Sequence, residues 1–136
     1  MEATNMIYID THVVLWLYIR RGEGLSERAR LLIEYEPEIL ISPMVLLQID
    51  FLHEIGRITL GSDPVFNYLH QEIGLEICKK PFLDVVRAAA ELTWTRDPFD
   101  RLITAQSALG RNNLITKDQT IRDHCKDPGP EGPALA

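Results

Sequence analysis

Short apolar runs rich in β-branched residues alternate along this chain with longer helical segments, and glycine, proline or serine separates most of them. The runs at residues 6–10 (MIYID), 38–41 (EILI), 75–78 (LEIC, at a sheet edge) and 114–116 (LIT) predict strands. Periodicity and capping residues predict helices over about 11–19, 27–35, 44–55, 63–73, 81–93 and 97–109, with a last helical turn near 119–124. Strands that alternate with helices are typical of a parallel sheet covered on both faces. We therefore expect an α/β fold with a short, mostly parallel sheet flanked by helices.

The chain has 136 residues, of which 46% are hydrophobic, enough for one domain to bury a core without disulfides. We predict a single domain over residues 1–126 and a disordered Pro/Gly-rich tail over 127–136. The two cysteines, Cys78 and Cys125, have no paired spacing, which favours a reducing compartment. No segment predicts a signal peptide or a membrane helix, so we expect a cytoplasmic protein.

The net charge is −6, which argues against a protein that binds nucleic acid through a basic surface. A site for Mg²⁺ or Mn²⁺ also concentrates carboxylates, and the metal then supplies the positive charge that meets a phosphate. The acidity of the chain is therefore compatible with a metal-dependent nuclease, although it does not by itself indicate one.

Two acids follow predicted strands, and a third pair opens a helix. Asp10 ends MIYID and Asp118 ends LITKD, and ligands of open parallel sheets bind beyond the carboxyl ends of strands. A charge embedded in apolar sequence, as Asp10 is, is costly unless it is paired or bound to a metal. In DPFDRLITA, Asp97 fits a helix N-cap, and Asp100 lies in the first turn, where it can also hold a metal.

The flanking arginines of that helix, Arg96 and Arg101, either contact phosphate or pair with the acids. In the predicted helix 44–55, Gln48 projects near the centre of an apolar face and needs an internal hydrogen-bond partner. Asp50 and Glu54 project to the opposite side, as surface residues. His12 and His53 have no metal-ligand spacing and are predicted not to be ligands. The inward face of this helix comprises Met44, Leu47, Gln48, Phe51, Leu52 and Ile55.

Four blocks in this order resemble the PIN domain, in particular the VapC-type toxins of prokaryotic toxin–antitoxin pairs. They are IYIDTHVVLWLY (7–18), LSERARLLIE (25–34), ISPMVLLQIDFLHEIGRI (41–58) and RDPFDRLITAQSALGRNNLITKD (96–118). The resemblance implies a PIN-like three-layer fold and a metal site built from Asp10, Asp100 and Asp118, with Asp97 as a possible fourth ligand. It also implies a divalent-metal-dependent endoribonuclease that uses Mg²⁺ or Mn²⁺, a small antitoxin protein as partner, and a homodimer.

The chain departs from the family pattern at Gln48, where the family has a glutamate. The site geometry is kept there while one negative charge is lost, and a neutral oxygen should hold a hard cation less well. Activity is then either reduced or absent, and the alternative function is a weakened or inactive PIN-fold module that binds RNA or protein. We expect the substrate contacts at Thr11, Thr116, Arg101 and Gln48.

Other α/β functions fit the sequence less well. A phosphorylatable receiver-like domain needs paired acids after its first strand, which this chain lacks. A Rossmann or P-loop enzyme needs a glycine-rich phosphate loop after a strand, and no such loop is present. The broad apolar content, including Trp16, Trp94, Phe66 and Tyr68, gives a second argument for a homodimer.

Overall fold

The computed structural model describes residues 6–110, 112–116, 118–124 and 134–135. Its strands are β1 (Met6–Ile9), β2 (Glu38–Ile41), β3 (Leu75–Ile77), β4 (Asn113–Ile115) and β5 (Ala134–Leu135). They form one sheet in the order β3-β2-β1-β4-β5, and each neighbouring pair is parallel. The predicted parallel α/β sheet is confirmed, and β3 lies at an edge as expected.

The helices follow the predicted segments closely. They are α1 (Thr11–Arg20), α2 (Glu27–Tyr35), α3 (Pro43–Glu54), α4 (Ser62–Ile73), α5 (Phe82–Ala90), α6 (Pro98–Ala108) and α7 (Gln119–His124). Side-chain caps explain several starts, because an oxygen before a helix satisfies free backbone N–H groups in its first turn. Ser26 accepts from the backbone N–H of Ala29 and Ser42 from that of Met44, both at 3.1 Å.

The central strand β1 is buried on both faces, which is why its sequence is apolar without alternation. Ile7, Tyr8 and Ile9 are each at most 2% exposed and belong to the main core cluster. The parallel neighbours of β1 are β2 and β4, so the chain that follows β1 and the chain that follows β4 leave the sheet at the same edge. The backbone N–H of Asp10 still donates to the carbonyl of Ile115, at 3.1 Å.

Helix α3 presents a different face to the core from the one that its periodicity predicts. Val45 and Ile49 are its fully buried residues, while Leu47, Phe51 and Ile55 are about half exposed. Gln48 is half-buried at the border between the two faces rather than central. The physical reason is that α3 packs one side against α1, α4 and α6 while its second apolar stripe remains at the surface.

Asp50 is not the free surface residue that the projection predicts. Its carboxylate accepts hydrogen bonds from the backbone N–H of Ser62 at 2.7 Å and from the Ser62 hydroxyl at 2.9 Å. The N-cap of α4 is Gly61, which has no side chain to offer, and a Cβ there would approach the Asp50 carboxylate to 3.0 Å. Asp50 on α3 therefore takes the capping role for α4.

The aromatic residues that suggested a homodimer are mostly internal. Trp16, Trp94 and Phe66 pack against the core, and only Tyr68 is well exposed. The exposed apolar residues lie elsewhere, because α3 and α5 each carry an apolar stripe at the surface, where Phe51 of α3 contacts only Phe99 of α6 among the described aromatic rings. These stripes are Leu47, Phe51 and Ile55 on α3, and Phe82, Leu83 and Val86 on α5.

The predicted disordered tail lies mainly outside the described residues, as does Cys125. Ala134 and Leu135 are described and pair with β4, whose edge offers them backbone partners, and the disordered tail otherwise stays a prediction. Cys78 is buried and its thiol is free. None of the helices in the described ranges is long and apolar enough to cross a membrane.

Candidate metal and active site

Asp10 lies where the buried strand β1 turns into α1, and both of its carboxylate oxygens have partners. Oδ1 accepts from the backbone N–H of Val13 at 3.1 Å, which makes Asp10 the N-cap of α1. Oδ2 accepts from the hydroxyl of Thr116, which follows β4. Burial raises the pKa of Asp10 above its usual range, and these two hydrogen bonds work in the opposite direction because they favour the charged form.

Asp97 and Asp100 open helix α6. Asp97 is its N-cap and accepts from the backbone N–H groups of Phe99 at 2.8 Å and of Asp100 at 3.3 Å, as predicted. Asp100 is half-buried in the first turn. Burial, followed by the charges of Asp97, Asp118 and Asp10, raises the pKa of Asp100 to about 6.

Asp118 lies just after β4 and opens α7. Its carboxylate accepts from the backbone N–H of Ile121 at 3.1 Å, and its own backbone N–H donates to the Thr116 hydroxyl at 3.0 Å. The charge of Asp118 raises the pKa of both Asp10 and Asp100. Three acids from separate segments of the chain therefore act electrostatically on Asp100 or lie in its own segment; we call Asp10, Asp97, Asp100 and Asp118 the acid cluster.

The acid cluster is not drawn together into a finished metal cage. In the described stretches of chain, no three His, Cys, Asp or Glu side chains lie close enough to hold a metal ion. The cluster nevertheless has the chemistry that a hard divalent cation requires. Each carboxylate has about four lone-pair directions, so a capping acid can still bind a cation. Asp100 accepts no hydrogen bond from described side chains, and the mutual repulsion that raises its pKa is the energy that a cation would remove.

Gln48, on α3, contacts the residue that follows Asp10. Its side-chain Oε1 accepts a hydrogen bond from the hydroxyl of Thr11, the first residue of α1, at 2.5 Å. The internal partner predicted for Gln48 is thus Thr11. The amide oxygen keeps a second lone pair for a ligand, and the amide N–H₂ group adds donors where a carboxylate would offer only acceptors.

The other residues expected to contact substrate have different surroundings. Thr11 and Thr116 are at most 2% exposed, and their hydroxyls donate to Gln48 and Asp10. Both therefore support the site from within. Arg101 is partly exposed, and its Nε donates to the carbonyl of Thr95 at 2.8 Å rather than to an acid. Arg96 is exposed.

Two residues near the site were not predicted to belong to it. His12 is close enough to lower the pKa of both Asp10 and Asp100 when its imidazole is charged. Its position two residues after Asp10 was the available signal. Thr104 lies one helical turn after Asp100 and is almost fully buried. The four-residue spacing from Asp100 placed it on the same side of α6.

A polar network connects the start of α3 to the end of α6. The Ser42 hydroxyl donates to Oε1 of Gln106 at 2.9 Å, which joins the start of α3 to α6. Lys80 donates through Nζ to the carbonyl oxygens of Gln106, at 2.6 Å, and Leu109. Carbonyls at the end of a helix have no partners inside it, and a lysine can satisfy them. The network therefore fixes the helix that carries Asp97 and Asp100.

Comparison with known proteins identifies the family and the fold of this chain. The profile of the PIN domain family matches residues 7–127. Ribonuclease VapC22 of Mycobacterium tuberculosis (strain ATCC 25618 / H37Rv) is 29% identical over 120 residues, which cover 87% of this chain and 91% of that protein. VapBC2 from Rickettsia felis, in a crystal structure bound to a DNA fragment from their promoter, superposes with a TM-score of 0.58 at 14% identity. That match covers 83% of this chain and 87% of the other, and at this identity it supports the fold alone. Since the family profile spans most of its length, this chain belongs to the PIN domain family.

Proposed function

We propose that this PIN domain is a cytoplasmic, divalent-metal-dependent endoribonuclease of the VapC type. The observation that carries the proposal is the acid cluster, in which burial and three neighbouring acids raise the pKa of Asp100 to about 6. Repelling carboxylates held together at the end of a sheet indicate a functional site, because folding stability alone does not favour them. The similarity to a protein named ribonuclease VapC22 supports the same reaction class.

Asp10, Asp100 and Asp118 would hold Mg²⁺ or Mn²⁺, with Asp97 as a possible fourth ligand. Such an ion, when bound, lowers the pKa of a water molecule and stabilises charge that develops on phosphate. The chain itself supplies position. The N–H of Val13 and the hydroxyl of Thr116 fix the Asp10 carboxylate, and the start of α6 fixes Asp97 and Asp100.

The substrate would be met by donors at the rim of the acid cluster. The free nitrogens of Arg101 can donate to a phosphodiester, since Nε already fixes the side chain to Thr95. The amide N–H₂ group of Gln48 can donate to a neutral or anionic RNA oxygen. Thr11 and Thr116 contribute indirectly, because they orient Gln48 and Asp10.

Two partners complete the proposal. A small antitoxin protein would hold the nuclease in check, in line with the similarity in fold to the VapBC2 structure. A second copy of the chain would cover the apolar stripes of α3 and α5, which expose Leu47, Phe51, Phe82 and Leu83 among others. Exposed apolar area of this kind is typical of protein interfaces.

The alternative function is a PIN-fold module that binds RNA or protein with little or no catalysis. One observation favours it: Gln48 has a neutral amide where the family has a carboxylate, and the amide oxygen already accepts a hydrogen bond from Thr11. A cation then has one charged ligand fewer than a glutamate would give. Binding by such a module would persist in EDTA, whereas cleavage would not.

The test is RNA cleavage in Mn²⁺ and in EDTA, with Mn²⁺ binding measured by calorimetry on the same samples. Asp10→Asn is the informative variant, because asparagine can keep the α1 cap while it removes the charge. Asp84→Asn is the matched control, since Asp84 is an exposed acid in the first turn of α5. We expect cleavage by the unmodified protein and the control in Mn²⁺ only, and no cleavage by Asp10→Asn.

Gln48→Glu separates the two functions. If the unmodified protein is inert and Gln48→Glu both binds Mn²⁺ and cuts RNA, the alternative is correct for the natural chain. If neither protein binds Mn²⁺, the acid cluster is not a metal site and the nuclease proposal is refuted.

A further inference from the structure

The buried side of helix α6 is unusually polar beyond its first turn, which carries Asp100. Thr104, Gln106 and Ser107 are each at most 3% exposed. Gln106 accepts from Ser42, and the Ser107 hydroxyl donates to the carbonyl of Thr104 at 3.0 Å. The Thr104 hydroxyl differs from both, because among the described residues its Oγ1 has no hydrogen-bond partner.

A buried hydroxyl without a partner is a costly arrangement that native proteins avoid. Most buried polar atoms bind protein or ordered water, and the exceptions call for an explanation such as a water or an ion. Threonine has the same shape as valine, so a site that needed only packing would lose nothing by replacing the hydroxyl with a methyl group. The presence of a polar atom here therefore points to a ligand.

The position of Thr104 on α6 indicates where that ligand lies. Residues four apart share a helix face, with about 5–6 Å between their Cβ atoms, so Thr104 stands one turn below Asp100. The opposite side of α6 faces α5, where Ala105 joins Val85 and Ala89 in a separate apolar cluster. Asp100 itself faces Asp10 and Asp118, whose charges raise its pKa. A water molecule bound to Thr104 Oγ1 on this side would therefore lie on the same helix face as the Asp100 side chain.

We propose that Thr104 is a positioning residue of the site, whose hydroxyl donates to a buried water molecule that in turn donates to the Asp100 carboxylate. Asp100 is the one acid of the cluster that neither caps a helix nor receives a side-chain hydrogen bond from the described residues. The water gives it the fixed orientation that Asp10 obtains from Thr116. Groups that orient metal-binding side chains typically change metal affinity 10- to 100-fold when they are removed.

The metal arm of this inference rests on the proposed function and is tested by Mn²⁺ calorimetry without RNA. Thr104→Val, which removes the hydroxyl and keeps the shape, should weaken Mn²⁺ binding about 10-fold or more. Thr104→Ser restores the hydroxyl and should bind Mn²⁺ within about 2-fold of the unmodified protein. Ser107→Ala is the control, because it removes a buried hydroxyl from the same helix that is satisfied by a carbonyl. Equal Mn²⁺ affinity in Thr104→Val and the unmodified protein overturns the inference.

A metal-free arm keeps this inference distinguishable from the proposed function. A crystal structure of the full chain grown in EDTA should show a water within hydrogen-bond distance of both Thr104 Oγ1 and the Asp100 carboxylate. The absence of this water from the crystal structure overturns the inference even if the protein binds Mn²⁺ and cuts RNA. If the water is present and Mn²⁺ does not bind, Thr104 is confirmed as the support of Asp100 and the nuclease proposal alone fails.

Discussion

Replacement of Asp100 by asparagine should stabilise the metal-free protein at neutral pH. A carboxyl group whose pKa is higher in the folded than in the unfolded state binds its proton more tightly when folded. Its deprotonation therefore favours unfolding. Asp100 has a pKa of about 6 in the fold against an ordinary value of 3.8. It therefore opposes folding increasingly as the pH rises from about 4 to about 6, in full above that, and contributes nothing once both states are protonated.

The magnitude follows from that difference in pKa. A difference of about 2 corresponds to about 3 kcal/mol at 1.36 kcal/mol per pKa unit, and solvent screening of a half-buried group reduces this to about 1–2 kcal/mol. Loss of a carboxylate from a helix first turn works against the gain by about 0.3–1 kcal/mol. The net increase in the free energy of unfolding is then about 1 kcal/mol, which raises Tm by about 3–5 °C for a chain of this size.

The assay is thermal unfolding by circular dichroism in EDTA at pH 7.5 and pH 4, for the unmodified protein, Asp100→Asn and Asp84→Asn. The control removes an exposed first-turn acid from α5 and so measures the helix-dipole contribution alone. Asp100→Asn should melt above the unmodified protein at pH 7.5, and the gain should largely disappear at pH 4. A lower Tm than the control at pH 7.5, or a gain of the same size at pH 4, would refute the reasoning.

Three further changes test the supports of the site. Asp50→Ala should lower the free energy of unfolding by about 1–2 kcal/mol in urea titrations, because α4 loses the cap that Asp50 gives to Ser62; retained stability would mean that Gly61 suffices. Lys80→Met should cost about 1–3 kcal/mol by the same method, since buried carbonyls at the end of α6 lose their donor. Thr116→Val should lower Tm at pH 7.5, because Asp10 loses a hydrogen bond that favours its ionised form, and the loss should shrink in acid; a pH-independent loss would indicate a packing defect instead.

The order and type of the elements could be predicted from the sequence because breakers and apolar runs agree along the chain. The face of α3 that packs against the core could not be predicted from the sequence. Leu47, Phe51 and Ile55 form a good helical stripe, yet the core takes Val45 and Ile49. Periodicity identifies apolar faces but does not say whether the chain's own core or another surface covers them.

The candidate site shows the same division between local and long-range information. The strand ends and the start of α6 identified Asp10, Asp97, Asp100 and Asp118, because capping and strand-end positions are local features of the sequence. The hydrogen bonds that support them join residues far apart, such as Thr116 with Asp10, and spacing does not encode these pairs. The role of Asp50 was missed for the same reason, since its partner belongs to another helix.

The acid cluster lies at the N-termini of three helices, since Asp10 caps α1, Asp97 caps α6, and the Asp118 carboxylate accepts from a backbone N–H in the first turn of α7. Each N-terminus carries a partial positive charge from its free N–H groups. The positive ends of three helix dipoles thus point at the acid cluster. They partly neutralise its carboxylates before any cation binds. These dipoles cannot be titrated, diluted or removed by chelation. Alanine at any of the three capping positions would therefore disturb charge and helix start together, whereas asparagine separates the two effects.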